Sequence, residues 1–218
     1  MISLSLATLI IAAGCGSTAP SATADKESAK SSVAESLRNN PDYHELSSSD
    51  GTFTLVAPKD WFNADMKDAR FAEAMKKLGN PDAQKSIEQI TSNPVIRLVA
   101  MDVKGIEAKK LFVDNLNVVV MPAPAGSASS DMSAAAIATA KQLFGTSPYK
   151  TDVFDTPNGR VGMYSGATSM GSPQTHDLIG GLLVHGDNTY TVTLSCEAGK
   201  GAGFDKVFRD VMQSLKFK

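Results

Sequence analysis

The spacing of hydrophobic positions changes several times along residues 48–218, which predicts a mixture of strands and helices. Residues 52–56 alternate between apolar and polar side chains, as is typical of a half-buried strand. Residues 95–101 and 117–121 are rich in Val and Ile and lack helical spacing, so we predict strands there too. Four more strands are predicted at residues 149–155, 161–168, 177–184 and 189–194.

Helical spacing and terminal signals predict four helices. Asn80-Pro81 supplies an N-cap and a first helical residue between the first two, at residues 64–78 and 81–90. The third covers residues 131–144, with Ser130 or Asp131 as its cap and Gly145 as its stop. The clearest is the last, because one continuous apolar stripe runs along it: Phe204, Val207, Phe208, Val211, Met212 and Leu215. We expect this helix to pack across the sheet.

Two turns are predicted to join the last four strands into hairpins. Asn158-Gly159 tolerates positive φ and therefore favours a tight turn. For the second hairpin we predict a three-residue turn, Gly186-Asp187-Asn188, which would place Val184 beside Tyr190 and His185 beside Thr189.

The N-terminal residues 2–14 form an uncharged, mostly apolar run. It is shorter than the roughly 20 residues that a membrane-spanning helix needs, and it is typical of a signal-peptide h-region. The run ends in Ile10-Ile11-Ala12-Ala13-Gly14-Cys15, which resembles the lipobox of bacterial lipoproteins. The resemblance implies that Cys15 carries the lipid and becomes the mature N-terminus. Since no Lys or Arg precedes Cys15, we expect the natural start to lie a few codons upstream.

Residues 16–36 are mostly small, polar and charged, and bury too little apolar surface to offset their ordering entropy. We therefore predict a signal peptide at 1–14, a lipidated N-terminus and flexible tether at 15–47, and a single domain at 48–218. A diacylglyceryl group supplies two chains, enough for stable anchoring. This predicts a lipid-anchored protein on the extracytoplasmic face of the cell membrane. The alternative is a secreted protein cleaved near Ala13.

Three motifs, taken in order, resemble the Mog1/PsbP-like fold, which includes bacterial lipoproteins of the LpqN and DcrB types. Pro58-Lys59-Asp60-Trp61 is similar to its P-x-x-W opening, and residues 114–120 are similar to its Asn–apolar–Asn–Val strand. Residues 204–215 resemble its closing helix. The resemblance implies an α+β class, with an antiparallel β-sheet and helices packed on both faces.

Composition narrows the possible partners. The chain has 218 residues, of which 42% are hydrophobic and 20% charged, as in an ordinary globular protein. The formal net charge of −2 offers no basic surface for nucleic acid and no polybasic patch for anionic lipid. We therefore expect no nucleic-acid partner, and membrane contact through the lipid anchor.

The candidate nucleophiles lack the neighbours that catalysis needs. Cys196 lies in an apolar stretch without a basic residue to lower its pKa, so we predict a small buried side chain. Residues 162–166 lack the Gly-x-Ser-x-Gly spacing of a hydrolase elbow, and Ser165 falls in a predicted strand. We predict no enzyme.

The remaining candidate sites also favour structural roles. The three histidines lack metal-ligand spacing, so no metal or cofactor is predicted: His44, His176 and His185. His176-Asp177 is interpreted as an exposed or locally bonded pair. The glycine-rich residues 199–203 could hold an anion at a helix N-terminus, but a flexible connection is favoured. Trp61 is predicted to be a core residue.

These features predict a lipid-anchored binding or accessory module of the bacterial cell envelope, without catalytic activity. Its partner would be an unknown envelope protein or a small ligand. The alternative is a carrier of a lipid or other apolar ligand, held in a cavity between sheet and helices. Four methionines would line that cavity: Met66, Met75, Met132 and Met212.

Overall fold

The computed structural model of this chain describes residues 33–123, 131–169 and 174–218. The predicted signal peptide, Cys15 and the tether up to residue 32 lie outside this part of the chain. Among the described residues, no helix has the length and apolar character to cross a membrane.

Helices and strands are interspersed along the described ranges. The helices are α1 (residues 33–38), α2 (Ala69–Leu78), α3 (Pro81–Thr91), α4 (Val103–Glu107), α5 (Met132–Phe144) and α6 (Gly201–Ser214). The strands are β1 (Tyr43–Ser47), β2 (Phe53–Pro58), β3 (Trp61–Asn63), β4 (Ile96–Asp102), β5 (Asn115–Pro122), β6 (Tyr149–Thr156), β7 (Gly159–Thr168), β8 (His176–His185), β9 (Asn188–Glu197) and β10 (Lys216–Phe217).

The strands form two antiparallel sheets where the sequence predicted one. The large sheet has seven strands in the order β3-β4-β5-β9-β8-β7-β6, and the small sheet has three in the order β1-β2-β10. All observed pairings are antiparallel, which confirms the predicted α+β class.

The large sheet is covered on both faces, as predicted. On one face, here called the α6 face, strand β2 and helix α6 pack against the middle of the sheet through Phe53, Leu55, Phe208 and Met212. The opposite face, called the α5 face, carries two separate apolar clusters. One is built with α2, α3 and α4, and the other with α5. Strands buried on both faces explain why several segments are continuously apolar.

Helix ends follow the capping signals with one exception. Asn80 caps α3 by accepting from the N–H of Ala83, and Asp131 caps α5 by accepting from that of Ala134. The first predicted helix was expected from residue 64 but α2 begins at Ala69. The carboxylate of Asp68 accepts from the N–H groups of Arg70 and Phe71, which fixes the N-terminus there.

The predicted three-residue turn between β8 and β9 is wrong. His185 pairs with Asn188 and Val184 with Thr189, so the turn contains only Gly186 and Asp187. Gly186 has φ of 57°, as a glycine at the first central position of a two-residue hairpin turn allows. The prediction failed because β8 is apolar on both faces, so matching apolar side chains could not select a register.

The predicted hairpin between β6 and β7 is confirmed, with its turn displaced by one residue. Thr156 pairs with Gly159, which leaves Pro157 and Asn158 as the turn residues. Gly159, with φ of 125°, belongs to the strand rather than to the turn.

The folded part of the chain begins before residue 48, where the domain was predicted to start. Strand β1 pairs with β2 from Tyr43–Pro58 to Ser47–Thr54. Leu37 of α1 is only 8% exposed, and Arg38 donates to the carbonyl of Ser214 at 2.6 Å. The sequence pattern did not indicate this earlier start of the domain, because β1 buries little of its own surface and depends on β2 for its hydrogen bonds.

Candidate functional site

Strand β6 is the longest outer strand of the large sheet. It has eight residues, whereas β3 at the opposite edge has three. Most β6 side chains are exposed or half-buried, and they include Lys150, Asp152 and Asp155. Charged side chains are common on outer strands because they oppose unspecific pairing with other chains.

The backbone of β6 directs part of its hydrogen-bonding capacity away from β7. In an antiparallel pair closed by a two-residue turn, the closing residues bond to each other and every second residue points outward. The closing pair is Thr156 and Gly159, so Thr151, Val153 and Asp155 present their N–H and C=O groups to the outside. Two of these groups are used within the chain, in agreement with this direction. The carbonyl of Asp155 accepts from Nε2 of Gln213 at 2.8 Å, and the N–H of Val153 donates to Oδ1 of Asp152 at 2.8 Å.

A groove of about 550 Å³ lies beside this edge on the α6 face. It is bounded by β6, β7 and β8 and by the first turn of α6. Its floor is largely apolar, with Ala167, Ile179 and Ala202, and its walls carry Lys150, Asp177 and Asp205. An open groove with an apolar floor and a few polar groups is the usual form of a binding site.

Arg209 of α6 forms ion pairs beside the groove, on the side next to β6. Its guanidinium lies 2.6 Å from the carboxylate of Asp152 and 2.9 Å from that of Asp205, and 4.7 Å from the ring centre of Phe154. The hydrogen bond from Arg209 lowers the pKa of Asp152. Both carboxylates thus have a cationic partner, and α6 is tied to the outer strand.

The glycine-rich residues 199–203 lead into α6, and the N–H of Gly201 is already used. Oδ2 of Asp177 accepts from this N–H at 2.7 Å. A carboxylate of the chain itself therefore takes the place that an anion would need. Lys200, the other group considered for anion binding, forms an ion pair with Glu197.

The three histidines lie in different surroundings. His44 contacts the carbonyl of Trp61, and His185 stacks on Phe217 with ring centres 3.7 Å apart. His176 is 1% exposed and stacks on Phe112, and its Nδ1 contacts the carbonyl of Gln174 at 3.4 Å. Of the two expected alternatives, the locally bonded histidine is observed and the exposed one is not. Across the described ranges, no group of three or more His, Cys, Asp or Glu side chains could hold a metal ion.

Two other predicted assignments can be compared with the structure. Cys196 is fully buried, which confirms the predicted small buried side chain, and burial together with Asp114 and Asp177 raises its pKa to about 12. Trp61 is 4% exposed and lies against Phe204, which confirms a core role.

The four methionines proposed to line a carrier cavity do not share one space. Met212 belongs to the core on the α6 face, and Met132 to the cluster around α5. Met66 and Met75 lie in the cluster around α2 and α3. The residues that motivated the carrier hypothesis are therefore separated by the sheet and by different helices.

The groove and outer strand were not found from the sequence. Their residues come from β6, β7, β8 and α6. Gly201 and Ala202 belong to the glycine-rich residues 199–203, which were interpreted as a flexible connection. The available signal was the three charged side chains among residues 149–155, which are typical of an outer strand: Lys150, Asp152 and Asp155.

Comparison with solved structures identifies the fold. The chain is similar to cyanobacterial PsbP from Synechocystis, with a TM-score of 0.50, 13% identity, and coverage of 82% of this chain and 94% of that one. It is also similar to the Ran-binding protein Mog1p of Saccharomyces cerevisiae (TM-score 0.49, 11% identity, covering 81% and 95%). A third is LpqN of Mycobacterium tuberculosis, described as involved in cell envelope biogenesis (TM-score 0.44, 9% identity, covering 85% and 96%).

The sequence comparisons give no match. No protein-family model matches the chain, and no curated protein does. At 13% identity the likeness to PsbP concerns the fold alone. The chain thus has a PsbP-like α+β fold.

Proposed function

We propose that this protein is a lipid-anchored binding module on the extracytoplasmic face of the cell membrane. In this proposal it binds an extended segment of a partner envelope protein along β6. The observation that carries the proposal is the outward-directed backbone of β6 beside a groove of about 550 Å³. The proposal assigns no catalytic step.

Binding would occur by addition of a strand to the large sheet. An extended segment beside β6 would bond to the outward N–H and C=O groups of Thr151 and to the outward C=O of Val153. The N–H of Val153 donates to Oδ1 of Asp152 at 2.8 Å and would have to exchange that bond for one to the segment. Alternate side chains of an added strand point to opposite faces of the sheet. Every second side chain of the segment would therefore point to the α6 face, and one beside Lys150 would lie next to the groove.

The residues that line the groove indicate which side chains the partner segment would carry. Its floor accepts an apolar side chain, because Ala167, Ile179 and Ala202 offer no hydrogen-bonding side chains. A second copy of this chain, paired through its own β6, would bring Lys150 and Asp152 to that floor. Burying these charges would be unfavourable, which favours a partner segment with an apolar residue at alternate positions.

Cys15 and the segment that follows support the membrane location. In the proposal, the thioether at Cys15 holds the module at the bilayer. Extended at about 3.3–3.6 Å per residue, the segment from Cys15 to Val33 spans at most about 65 Å. This length leaves the module able to reach partners in the membrane or near it.

Strand addition is tested by photo-crosslinking in native membranes. A photoreactive residue at Val153 is expected to capture a discrete partner, while one at the exposed Lys85 of α3 is not. In a Thr151→Pro background the capture should be lost, because proline removes an outward N–H without removing a bond to β7. Thr151→Val keeps that N–H and serves as the matched control.

The possible outcomes separate the parts of the proposal. Equal capture in the Thr151→Pro and Thr151→Val backgrounds, both with unchanged melting temperature, would exclude strand addition. A crosslinked species of twice the chain mass would show pairing between copies and exclude a partner segment. Anchoring is tested separately, since Cys15→Ser should abolish palmitate incorporation and release the protein from membranes.

A further inference from the structure

A second cavity, of about 270 Å³, lies near the β3 and β4 edge of the large sheet, where the small sheet approaches β4. Its walls come from the end of β1, the segment after β3, the end of α3 and the start of β4. The N–H of Ser49 donates to the carbonyl of Arg97 at 2.7 Å, and the N–H of Ala64 donates to that of Val99 at 2.8 Å. These bonds join the walls of the space, which we call the β4 cavity.

Strand β4 contains a bulge at Arg97. Ile96 pairs with Val119 and Leu98 with Val118, so β4 has one residue more than β5 between these two pairs. Ile96 and Leu98 therefore pack on opposite faces of the sheet, although residues two apart in a regular strand share one face. Bulges re-aim a side chain and are frequent beside functional sites. Here the extra residue, Arg97, lies in the wall of the β4 cavity.

The carboxylate of Asp50 positions Arg97. Its Oδ2 lies 3.4 Å from Nε of Arg97. Its Oδ1 accepts from the hydroxyls of Ser48 and Thr52 at 2.8 and 2.7 Å, so the carboxylate is itself fixed. Burial alone would raise the pKa of Asp50, but these hydrogen bonds and the charge of Arg97 lower it, which keeps the carboxylate ionised. The guanidinium is therefore held from one side, through Nε.

Two cationic side chains and one carboxylate are among the residues that line the β4 cavity: Arg97, Lys67 and Asp65. Oδ1 of Asp65 accepts from the backbone N–H of Lys67 at 2.9 Å, which engages this carboxylate within its own turn. In the part of the chain that the structure describes, the ammonium of Lys67 forms no ion pair, and Nη1 and Nη2 of Arg97 form no hydrogen bond. The donors that remain for a ligand are therefore cationic.

The apolar part of the wall comes from the start of β4 and from Ala64. Ile96, Leu98 and Val99 are each at most 6% exposed, and Ala64 is 3% exposed. Apolar walls with a few placed polar groups are typical of small-molecule sites, and those for drug-sized ligands start at about 300 Å³. A cavity of about 270 Å³ therefore suits a small ligand with a short alkyl group.

We propose that the β4 cavity binds a small monocarboxylate with a short apolar chain. The guanidinium of Arg97 receives the carboxylate, because its parallel N–H groups match the two oxygens. Lys67 adds a second positive charge, and the alkyl group lies against the apolar wall. A phosphate is less favourable, since it brings nearly two negative charges close to Asp50 and Asp65. The site lies at the other edge of the sheet from β6 and is independent of strand addition.

NMR titration of the isotopically labelled full chain tests the site with butanoate as the probe. Butanoate is expected to shift the backbone amides of Ser49, Ala64 and Val99 in a saturable manner. Butanamide, which has the same alkyl chain without the charge, and inorganic phosphate should give no saturable shift at these amides. Absence of saturation with butanoate, equal saturation with butanamide, or saturation with phosphate alone would overturn the proposal.

Charge-removing variants test which side chains hold the carboxylate. Arg97→Gln should raise the Kd for butanoate about tenfold or more, because a charge-assisted hydrogen bond is lost. Lys67→Gln, at an exposed position that does not affect folding, should raise it about two- to fivefold. Arg160→Gln and Lys85→Gln, which are exposed and lie outside the cavity, are the matched controls and should leave it unchanged.

The melting temperature of each variant separates a loss of binding from a loss of folding. Because Arg97 also pairs with Asp50, Arg97→Gln is compared with the unmodified chain only if it melts cooperatively. Lys67→Gln tests the proposal in either case. An unchanged Kd in Lys67→Gln, or the same rise in Lys85→Gln, would contradict the assignment of the cavity.

Discussion

The phenol ring of Tyr164 lies directly over Gly180, on the α5 face of the sheet. A Cβ atom at Gly180 would come within 2.2 Å of Cζ of Tyr164. At the next residue, a Cβ atom at Gly181 would come within 2.8 Å of Cζ of Phe208 in α6. Two consecutive glycines of β8 thus admit an aromatic ring on each face, which brings Tyr164 and α6 close to the sheet.

Gly180→Ala should destabilise the protein by about 1–3 kcal/mol, because the buried Tyr164 ring must move in a close-packed core. The measurement is the free energy of unfolding from denaturant titration. Gly203→Ala is the matched control, since no atom lies within 4 Å of its Cβ position and alanine favours the helix. A similar loss in both variants would contradict this account of Gly180.

Ser214→Ala should cost about 1–3 kcal/mol, because it leaves a buried backbone group unpaired. Oγ of Ser214 accepts from the N–H of Val56 at 2.9 Å and donates to the carbonyl of Val211 at 2.7 Å. It thereby joins the end of α6 to β2. Ser92→Ala, at the exposed end of α3, should change the unfolding free energy by less than about 0.5 kcal/mol.

Stability should fall as the pH drops below about 6.5, and His176 should cause part of that fall. Burial lowers the pKa of His176 in the folded state relative to its ordinary value of 6.5. The unfolded chain therefore binds the proton first, and acid favours unfolding until the folded-state pKa is passed. His176→Gln, which stays neutral, should reduce the difference between denaturant midpoints at pH 7.5 and 5.5. An unchanged difference would exclude His176 as a source of the pH dependence.

Cys196 should resist thiol reagents in the folded protein. Its thiol is fully buried and its pKa is raised to about 12, so very little thiolate exists at pH 8. In a Cys15→Ser variant, Cys196 is the remaining thiol, and its labelling can be followed with and without guanidinium. Rapid labelling only after unfolding is expected, and equal rates would contradict burial.

Local signals in the sequence predicted many of the secondary elements. The apolar stripe from Phe204 to Leu215 predicted α6, and the capping residues Asn80 and Asp131 predicted where α3 and α5 begin. These features depend on residues within one or two turns of each other, so a linear pattern contains them. The short elements β1, β3, β10 and α4 were not predicted, because each is stabilised by contacts with distant segments rather than by its own pattern.

The candidate sites depend on contacts that no linear pattern records. The groove beside β6 joins Lys150 to Asp177 and Asp205. These residues come from β6, β8 and α6, which strand order and helix packing bring together. The register predicted for β8 and β9 was wrong for a related reason. Both faces of β8 are buried, so its apolar pattern could not select one pairing.

The sequence by itself determined the main helices and strands and the burial of Cys196, because hydrophobic spacing and capping are local properties. Its resemblance to a known fold supplied the α+β class. The sequence also supplied the prediction of a lipid on Cys15. Only the tertiary structure decided the division into two sheets, the two-residue turn at Gly186 and the outer position of β6. It likewise decided which polar side chains meet inside the protein. These depend on pairing and packing between segments far apart in the chain, where many arrangements satisfy the same hydrophobic pattern and only one fills the space between the sheets and helices.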